Sequence, residues 1–282
     1  MVIGYFNGEF IPVEQAVIPI DERGHQFGDG VYEVIRVYNG KPFMLDEHIE
    51  RLIKSGEAIK LRMEKTAEEL QQIIHEAVQK SQLNNCDVYI QVTRGIATRK
   101  HLFPDAPVSI TMTVRPMQVT EETEREKGKT AIFHEDERWT NCYIKSLNLL
   151  PNILAKQTAQ EAGCYEAILV KDGFVTEGTS SNVYLVKDDS IYTTPLSKQI
   201  LPGITRMAVK ECAEKLGIPF IEKHFTPDEL LQADEVFITS TTNEIMPIVR
   251  IDESVIQDGS AGKLTTALFE KFKESIDIVQ PI

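Results

Sequence analysis

Two short stretches decide how this sequence is interpreted: Ile144-Lys145-Ser146-Leu147-Asn148 and, beginning 32 residues after that lysine, Glu177-Gly178-Thr179-Ser180-Ser181-Asn182. A neutral lysine can form a Schiff base with an aldehyde, and a carboxylate can hold a nearby pyridine nitrogen protonated. These are the two protein groups that pyridoxal phosphate chemistry needs most. No spacing rule requires such residues to meet, so the pair alone only suggests a site for this cofactor.

The composition is that of a soluble globular protein, with 282 residues, 42% of them apolar and 26% charged. The formal net charge of −13 argues against nucleic acid or an anionic membrane as main partner, because both bind clustered Lys and Arg. The N-terminus lacks the basic start and long apolar run of a signal peptide. No segment approaches the roughly 18 apolar residues that would cross a bilayer.

The cysteines predict no metal site. None of the four forms a Cys-x-x-Cys pair or a zinc-type spacing with histidine. We therefore expect four reduced thiols in a cytoplasmic protein. They are Cys86, Cys142, Cys164 and Cys212.

The hydrophobic pattern predicts strands and helices in irregular alternation. Asn7-Gly8 between apolar flanks indicates a hairpin within residues 3–13, and Asp46 is the expected N-cap of the first long helix. Further strands are expected at 31–37, 41–45, 87–94, 108–114, 130–133, 166–170, 182–186 and 235–239. Further helices are expected near 67–82, 148–162, 203–216 and 263–276.

The same pattern indicates two domains. The stretch from Arg115 to Lys129 is mostly polar and rich in Glu, which makes it the best linker candidate. The irregular alternation does not indicate a single doubly wound parallel sheet, so we expect an α+β chain. The predicted limits are residues 1–120 for a small N-terminal domain and residues 121–282 for a larger C-terminal domain.

Three motifs closely resemble the class IV, fold-type IV aminotransferases: the run from Lys145 to Leu150, the turn Thr176-Glu177-Gly178, and Arg23-Gly24-His25-Gln26-Phe27-Gly28-Asp29-Gly30-Val31-Tyr32-Glu33. Within that family they are most similar to the bacterial D-amino acid aminotransferases. The resemblance extends from Asp21 to Gly259. It implies a small N-terminal α/β domain, a larger C-terminal domain with a barrel-like sheet, and pyridoxal 5'-phosphate in the cleft between domains.

Lys145 and Glu177 take the central roles under this resemblance. Lys145 would be the Schiff-base lysine, and it would move the proton between the substrate α-carbon and the cofactor. Its neighbours Ile144 and Leu147 are apolar, which is compatible with the burial that lowers the pKa of a lysine. Glu177 would pair with the pyridine nitrogen and keep it protonated.

Five further residues are expected to bind the cofactor phosphate. The amides of Ile204 and Thr205 open a predicted helix, and a helix N-terminus attracts anions. Ser240 and Thr241 follow an apolar strand and offer hydroxyl donors. Arg51 lies on the first amphipathic helix, where the pattern alone favours a solvated face, but the resemblance places it on the phosphate.

The glycines of Gly24-x-x-x-Gly28-x-Gly30 do not form a dinucleotide-binding fingerprint. Their spacing is wrong for that motif, and they precede a predicted strand rather than a helix. We expect them to permit tight turns beside the cofactor.

Tyr32, Arg99 and His101 would select the substrate. Taken alone, Arg99-Lys100-His101 is typical of an exposed basic loop. In the resembling enzymes, an Arg-x-His pair and a tyrosine bind the substrate α-carboxylate, which suits the bidentate geometry of arginine. There the Arg and His reach in from the neighbouring subunit, so the resemblance also implies a homodimer.

The implied reaction is a ping-pong transamination of D-alanine and 2-oxoglutarate to pyruvate and D-glutamate, in the supply of D-glutamate for a bacterial cell wall. Two alternatives keep the class: a branched-chain L-aminotransferase and an (R)-amine transaminase, both disfavoured by Arg99 and His101. A third is an aminodeoxychorismate lyase, which shares the lysine and glutamate but needs no 2-oxoglutarate. A protein that merely stores the cofactor would not need the Glu177 partner.

Overall fold

The computed structural model describes residues 1–277, which form two compact units. The first comprises Met1–Gln118 together with Ile144–Asn148, and the second comprises Val119–Tyr143 and residues 149–277. The segment Ile144–Asn148 therefore belongs to the first unit, although the predicted C-terminal domain began at residue 121 and included it. The predicted domain limits themselves stay a prediction.

The first unit is built on a six-stranded antiparallel sheet in the order β2-β1-β6-β5-β3-β4. Buried Ile49, Leu52, Leu70 and Ile74 from two of its helices pack against the buried side chains of the sheet. Its strands are β1 Ile3–Phe6, β2 Glu9–Ile11, β3 Gly30–Tyr38, β4 Lys41–Pro42, β5 Cys86–Thr93 and β6 Ser109–Pro116. Its helices are α1 Arg23–Phe27, α2 Leu45–Ala58 and α3 Ala67–Ser81.

Helix α2 begins one residue before the predicted N-cap. Met44, with φ at 49°, ends the turn after the short strand β4, so the helix starts at Leu45 and the strand predicted to reach Leu45 stops at Pro42. Asp46 is therefore in the first turn, where its charge still favours the helix dipole. The N-cap prediction is wrong because a left-handed residue, rather than a side-chain cap, sets the entry of the chain.

The second unit contains a nine-stranded mixed sheet in the order β12-β11-β10-β13-β14-β7-β8-β9, with β15 paired to β14. Parallel pairing joins β11 to β12, β14 to β7 and β7 to β8. The strands are β7 Lys129–Glu135, β8 Glu166–Lys171, β9 Phe174–Gly178, β10 Asn182–Lys187, β11 Ser190–Thr193, β12 Phe220–Glu222, β13 Glu235–Ser240, β14 Glu244–Ile251 and β15 Ser254–Val255. The helices are α4 Glu122–Lys127, α5 Leu150–Glu161, α6 Ile204–Leu216, α7 Pro227–Leu231 and α8 Lys263–Asp277.

The α+β class, with two sheets instead of one doubly wound sheet, is confirmed. One local prediction needs correction. Thr176-Glu177-Gly178 is part of strand β9 rather than a turn, because the turn is made earlier by Asp172 and Gly173, both at positive φ. The polar stretch expected to be a linker contains the division between the two units, between Gln118 and Val119, and also helix α4.

The glycine-rich stretch was expected to form tight turns, but residues Arg23–Phe27 form the short helix α1. Gly28, at φ 65°, ends that helix in the left-handed conformation that glycine tolerates best. Over residues 1–277, no helix combines the length and the apolar character needed to cross a membrane.

Candidate active site

Lys145 is held beside the first residues of strand β3. Its carbonyl accepts a hydrogen bond from the Tyr32 amide at 3.0 Å, and the Leu147 amide donates to the Gly30 carbonyl at 3.1 Å. A Cβ on Gly30 would lie 2.6 Å from the Val92 carbonyl oxygen and 2.9 Å from Leu147 Cδ1, so glycine fits between strand β5 and the segment that carries Lys145. The Lys145 Nζ atom is 4.4 Å from the centre of the Tyr32 ring. Two of the predicted site residues, Lys145 and Tyr32, therefore lie side by side, and Lys145 is half-buried.

Arg51 is not on a solvated face. It is 8% exposed, and its Nε and Nη2 atoms donate to the two oxygens of Glu33 at 2.6 and 2.8 Å. His48 Nδ1 is 2.7 Å from Glu33 Oε2. Burial tends to raise the pKa of the Glu33 carboxyl, but Arg51 and His48 outweigh burial and hold that pKa well below its usual range. Glu33 therefore fixes the guanidinium of Arg51 in one orientation.

Glu33 and His48 were missed by the sequence interpretation. Burial lowers the pKa of His48, which favours a neutral imidazole. The available signal was the position of His48 and Arg51 one turn apart, next to Ile49 and Leu52 on the apolar face of helix α2. Polar residues on the buried side of a helix require a buried partner.

Arg99 and His101 lie on an exposed loop, as the pattern alone suggested. The Phe27 ring organises this loop: Arg99 Cζ is 4.6 Å from its centre and the His101 ring centre is 5.7 Å away. Arg23 Nη1 also donates to the Lys100 carbonyl at 2.7 Å. Arg99 and His101, two of the residues predicted to bind the substrate carboxylate, therefore both lie beside the Phe27 ring.

Glu177 is 4% exposed and is held by three donors. Arg138 Nη1 donates to its Oε1 atom, and Asn182 Nδ2 and the Leu201 amide donate to its Oε2 atom, each at 3.1 Å. Burial raises the pKa of the Glu177 carboxyl, Arg138 opposes that shift, and Asp136 adds to it. The carboxylate is fixed in place, and its protonation depends on its charged neighbours.

Arg138 also binds Asp136. Its Nε and Nη2 atoms donate to Asp136 Oδ1 and Oδ2 at 2.8 and 2.7 Å. Burial works against its charge, but the two carboxylates outweigh burial and raise the pKa of the Arg138 guanidinium. The sequence interpretation assigned no chemistry to this segment. The signal was the i, i+2 spacing of Asp136 and Arg138, which places both side chains on one side of an extended chain.

Helix α6 opens with a buried first turn. Gly203 is its N-cap and provides no side-chain hydrogen bond, and Ile204 and Thr205 are both buried. The first amides of a helix have no partner within the helix. A Cβ on Gly203 would lie 2.2 Å from Asn182 Oδ1, so glycine is needed here. The first turn has the form expected for anion binding.

Ser240 is the last residue of β13 and Thr241 is the first residue of the turn to β14, and both are half-buried. Ser240 Oγ accepts from the Asn243 amide at 3.1 Å. Arg125 of helix α4 fixes the same turn, because its Nη1 atom donates to the Asn243 carbonyl at 3.0 Å and its Nη2 atom donates to Glu244 Oε2 at 2.9 Å. Arg125 was not predicted, since it lies more than 100 residues away in the expected linker.

The family model described as Amino-transferase class IV matches residues 30–251 of the chain. The D-alanine aminotransferase of Bacillus licheniformis is 48% identical over 272 residues, which are 96% of this chain and 96% of the relative. The D-alanine aminotransferase of Staphylococcus epidermidis is 46% identical over 278 residues, which are 97% of this chain and 99% of the relative.

Two solved structures share the fold. The T.th. branched-chain amino acid aminotransferase with pyridoxamine 5'-phosphate has a TM-score of 0.92 and 29% identity, covering 99% of this chain and 95% of that chain. The branched-chain amino acid aminotransferase of Escherichia coli has a TM-score of 0.90 and 26% identity, covering 96% and 93%. The likeness in sequence and in fold therefore extends over nearly the whole chain.

Proposed function

Because the chain belongs to the class IV aminotransferases, we propose that it moves the amino group of a D-amino acid to a 2-oxo acid, with D-alanine and 2-oxoglutarate as the preferred pair. The predicted family and fold type are confirmed by the matches in sequence and structure. One observation carries the choice of substrate: the identity of 48% to a D-alanine aminotransferase over 96% of this chain. The products would be pyruvate and D-glutamate.

The residues present fit pyridoxal 5'-phosphate. Lys145 is half-buried beside the Tyr32 ring, and a lysine amine can bond the aldehyde of this cofactor. Glu177, Asp136 and Arg138 form a buried cluster of two carboxylates and one guanidinium. The excess of one carboxylate suits a cationic pyridine ring. When bound, the cofactor supplies an aldehyde that bonds an amine and a protonated ring that accepts the electrons released at the substrate α-carbon.

Each predicted residue has a role that its own surroundings support. Lys145 holds the cofactor and takes the proton from the substrate α-carbon through Nζ. Glu177, fixed by its three donors, holds the proton on the ring nitrogen. The phosphate would be bound by a cation, two helix amides and two hydroxyls. These groups are Arg51, Ile204, Thr205, Ser240 and Thr241.

Tyr32, Arg99 and His101 would bind the substrate α-carboxylate, with Arg99 and His101 serving the site of a neighbouring subunit in a homodimer. Their loop is exposed in the single chain. Leu102 in the same loop is 82% exposed and Phe103 is 58% exposed, and large apolar side chains of this kind favour a protein contact. The dimer would act in the cytoplasm on small amino and oxo acids.

A branched-chain L-aminotransferase is the second candidate, because the structural matches at TM-scores of 0.92 and 0.90 carry that name. Their identities of 29% and 26% are well below the 48% to a D-alanine aminotransferase. We therefore place the D-specific reaction first.

The two candidates differ in the product that they make from 2-oxoglutarate. The holoenzyme is incubated with D-alanine and 2-oxoglutarate, or with L-leucine and 2-oxoglutarate, and the glutamate enantiomers are separated by chiral chromatography. We expect D-glutamate from D-alanine and no glutamate in a matched Lys145→Ala control. L-glutamate formed from L-leucine at the higher rate would replace the proposal with the second candidate.

A further inference from the structure

We propose that Asp136 is a positioning residue that acts through Arg138 to keep the cofactor ring nitrogen protonated at Glu177. This inference rests on the proposed function, because it takes the ring nitrogen to be the partner of Glu177. It adds Asp136 to that function as the group that sets the protonation state of the ring nitrogen. The sequence motifs assigned no role to the segment that contains Asp136 and Arg138.

The geometry is that of a guanidinium shared by two buried carboxylates. Arg138 uses two nitrogens for Asp136, at 2.8 and 2.7 Å, and its third nitrogen for Glu177 Oε1. The Arg138 amide also donates to Asp136 Oδ1 at 3.1 Å, and Thr176 Oγ1 donates to Asp136 Oδ2 at 2.8 Å. Asp136 is therefore locked in place, and it fixes the direction in which Arg138 presents Nη1 to Glu177.

The charges of this cluster do not cancel. Two carboxylates and one guanidinium, all at least nine-tenths buried, leave one net negative charge. An unbalanced buried charge is costly, and it attracts a cation of the right size or a proton. A protonated ring nitrogen at Glu177 would make the cluster neutral. The raised pKa of the Glu177 carboxyl has the same cause, namely burial together with the second carboxylate.

Other titratable groups near the cluster do not change this sum. Burial raises the pKa of the Cys142 thiol to about 11 and also raises the pKa of the Tyr184 hydroxyl, so both stay neutral near pH 7. Arg206, which influences Tyr184, is paired with Glu222 at 2.8 Å. Lys171, which influences Cys142, is half-buried at the end of strand β8, and it is not among the main groups that shift the pKa of Asp136, Arg138 or Glu177.

Without Asp136, the positive Arg138 and the negative Glu177 would cancel each other. A protonated ring nitrogen would then be an uncompensated buried cation, so its proton would be held less tightly. A nearby opposite charge shifts a pKa by about one to three units. We therefore expect the ring nitrogen of the Asp136→Asn holoenzyme to lose its proton at a pH at least about one unit lower than in the wild type.

The test uses pyridoxal 5'-phosphate labelled with ¹⁵N in the ring, bound to the full-length enzyme. The ¹⁵N chemical shift, which reports the proton on that nitrogen, is followed against pH in the wild type, in Asp136→Asn and in Asp136→Glu. Asp136→Glu keeps the charge and should restore the wild-type titration. Asp189→Asn is the matched control, since it removes one negative charge from an exposed residue, and its titration should not move.

The outcomes distinguish a failure of the proposed function from a failure of this inference alone. A wild-type ring nitrogen without a proton would remove the proposed role of Glu177. A protonated wild-type nitrogen with an unchanged titration in Asp136→Asn would overturn the inference alone. If Asp136→Asn does not fold, the neutral Asp136→Ser replaces it with the same expectation. If Asp136→Asn and Asp136→Ser both fold but fail to bind the cofactor, Asp136 has a structural role and the inference is also overturned.

Discussion

Arg51 and Arg99 carry the same guanidinium group in opposite surroundings. Arg51 is buried and is fixed by both oxygens of Glu33, whereas Arg99 is exposed and lies over the Phe27 ring. A fixed cation suits a phosphate that stays bound through many reactions. An exposed cation suits a carboxylate that enters and leaves in every reaction. The proposed division between cofactor and substrate therefore agrees with the burial of the two residues.

At Arg99 this division gives a kinetic prediction. Arg99→Ala should raise KM for the amino acid by about 10- to 100-fold, the range expected when a charge-assisted hydrogen bond is lost. The affinity for the cofactor should stay within about twofold. Lys100→Ala is the control, because only the backbone carbonyl of Lys100 takes part in the bond to Arg23. A loss of cofactor that exceeds the change in KM would place Arg99 on the cofactor instead.

Strand β3 and helix α2 are joined by one buried carboxylate. Glu33 of β3 binds Arg51 and His48 of α2, and its pKa is held well below the ordinary value of 4.5 by those partners. A carboxyl whose pKa is depressed by folding stabilises the fold above its unfolded pKa and loses that effect as the pH falls through its folded pKa. Glu33 should therefore stabilise the protein throughout the neutral range.

Glu33→Gln should lower the free energy of unfolding of the holoenzyme by about 3–5 kcal/mol at pH 7, because it leaves the Arg51 guanidinium buried without its partner. The difference from the wild type should shrink below pH 4.5, where the unfolded carboxyl also takes up a proton. Urea unfolding at several pH values measures both effects, with exposed Glu50→Gln as control. A difference that does not depend on pH would contradict the assignment to ionised Glu33.

Local signals predicted those elements whose cause lies within a few residues. Helix α3 follows from its apolar spacing and begins at a capping box between Thr66 and Glu69, and Asn7-Gly8 makes the first hairpin. The start of helix α2 was misplaced because the left-handed Met44 has no sequence signature. The contacts of Arg138 with Glu177 and of Arg125 with Asn243 join distant positions, and no local pattern contains them.

In the candidate site, too, local signals were predicted from the sequence and contacts between distant positions were not. Lys145 and Glu177 were predicted from motifs, and their roles stay predictions until they are tested. Their supports were not predicted, because a buried ion pair is defined by two chain positions that meet only after folding. Asp136 and Arg138 could have been found by their spacing on an extended chain, but their meeting with Glu177 could not.

For the whole molecule, the open prediction is the homodimer in which Arg99 and His101 serve the neighbouring site. Arg99→Ala and Lys145→Ala enzymes should each be inactive at low substrate, whereas a mixture that exchanges subunits should regain about a quarter of the wild-type sites. Half of the dimers would be hybrids, and each hybrid would have one site with both residues intact. No recovery, in a mixture shown to exchange subunits, would place Arg99 in the site of its own chain.

The central claim is the D-specific transfer of an amino group to the cofactor, and it is tested most directly by a half-reaction. The purified holoenzyme is titrated separately with D-alanine, L-leucine and an (R)-amine, without any oxo acid, while the visible absorbance of the aldehyde form is followed. We predict that this absorbance is lost with D-alanine and persists with the other two. Loss with L-leucine and persistence with D-alanine would contradict the account.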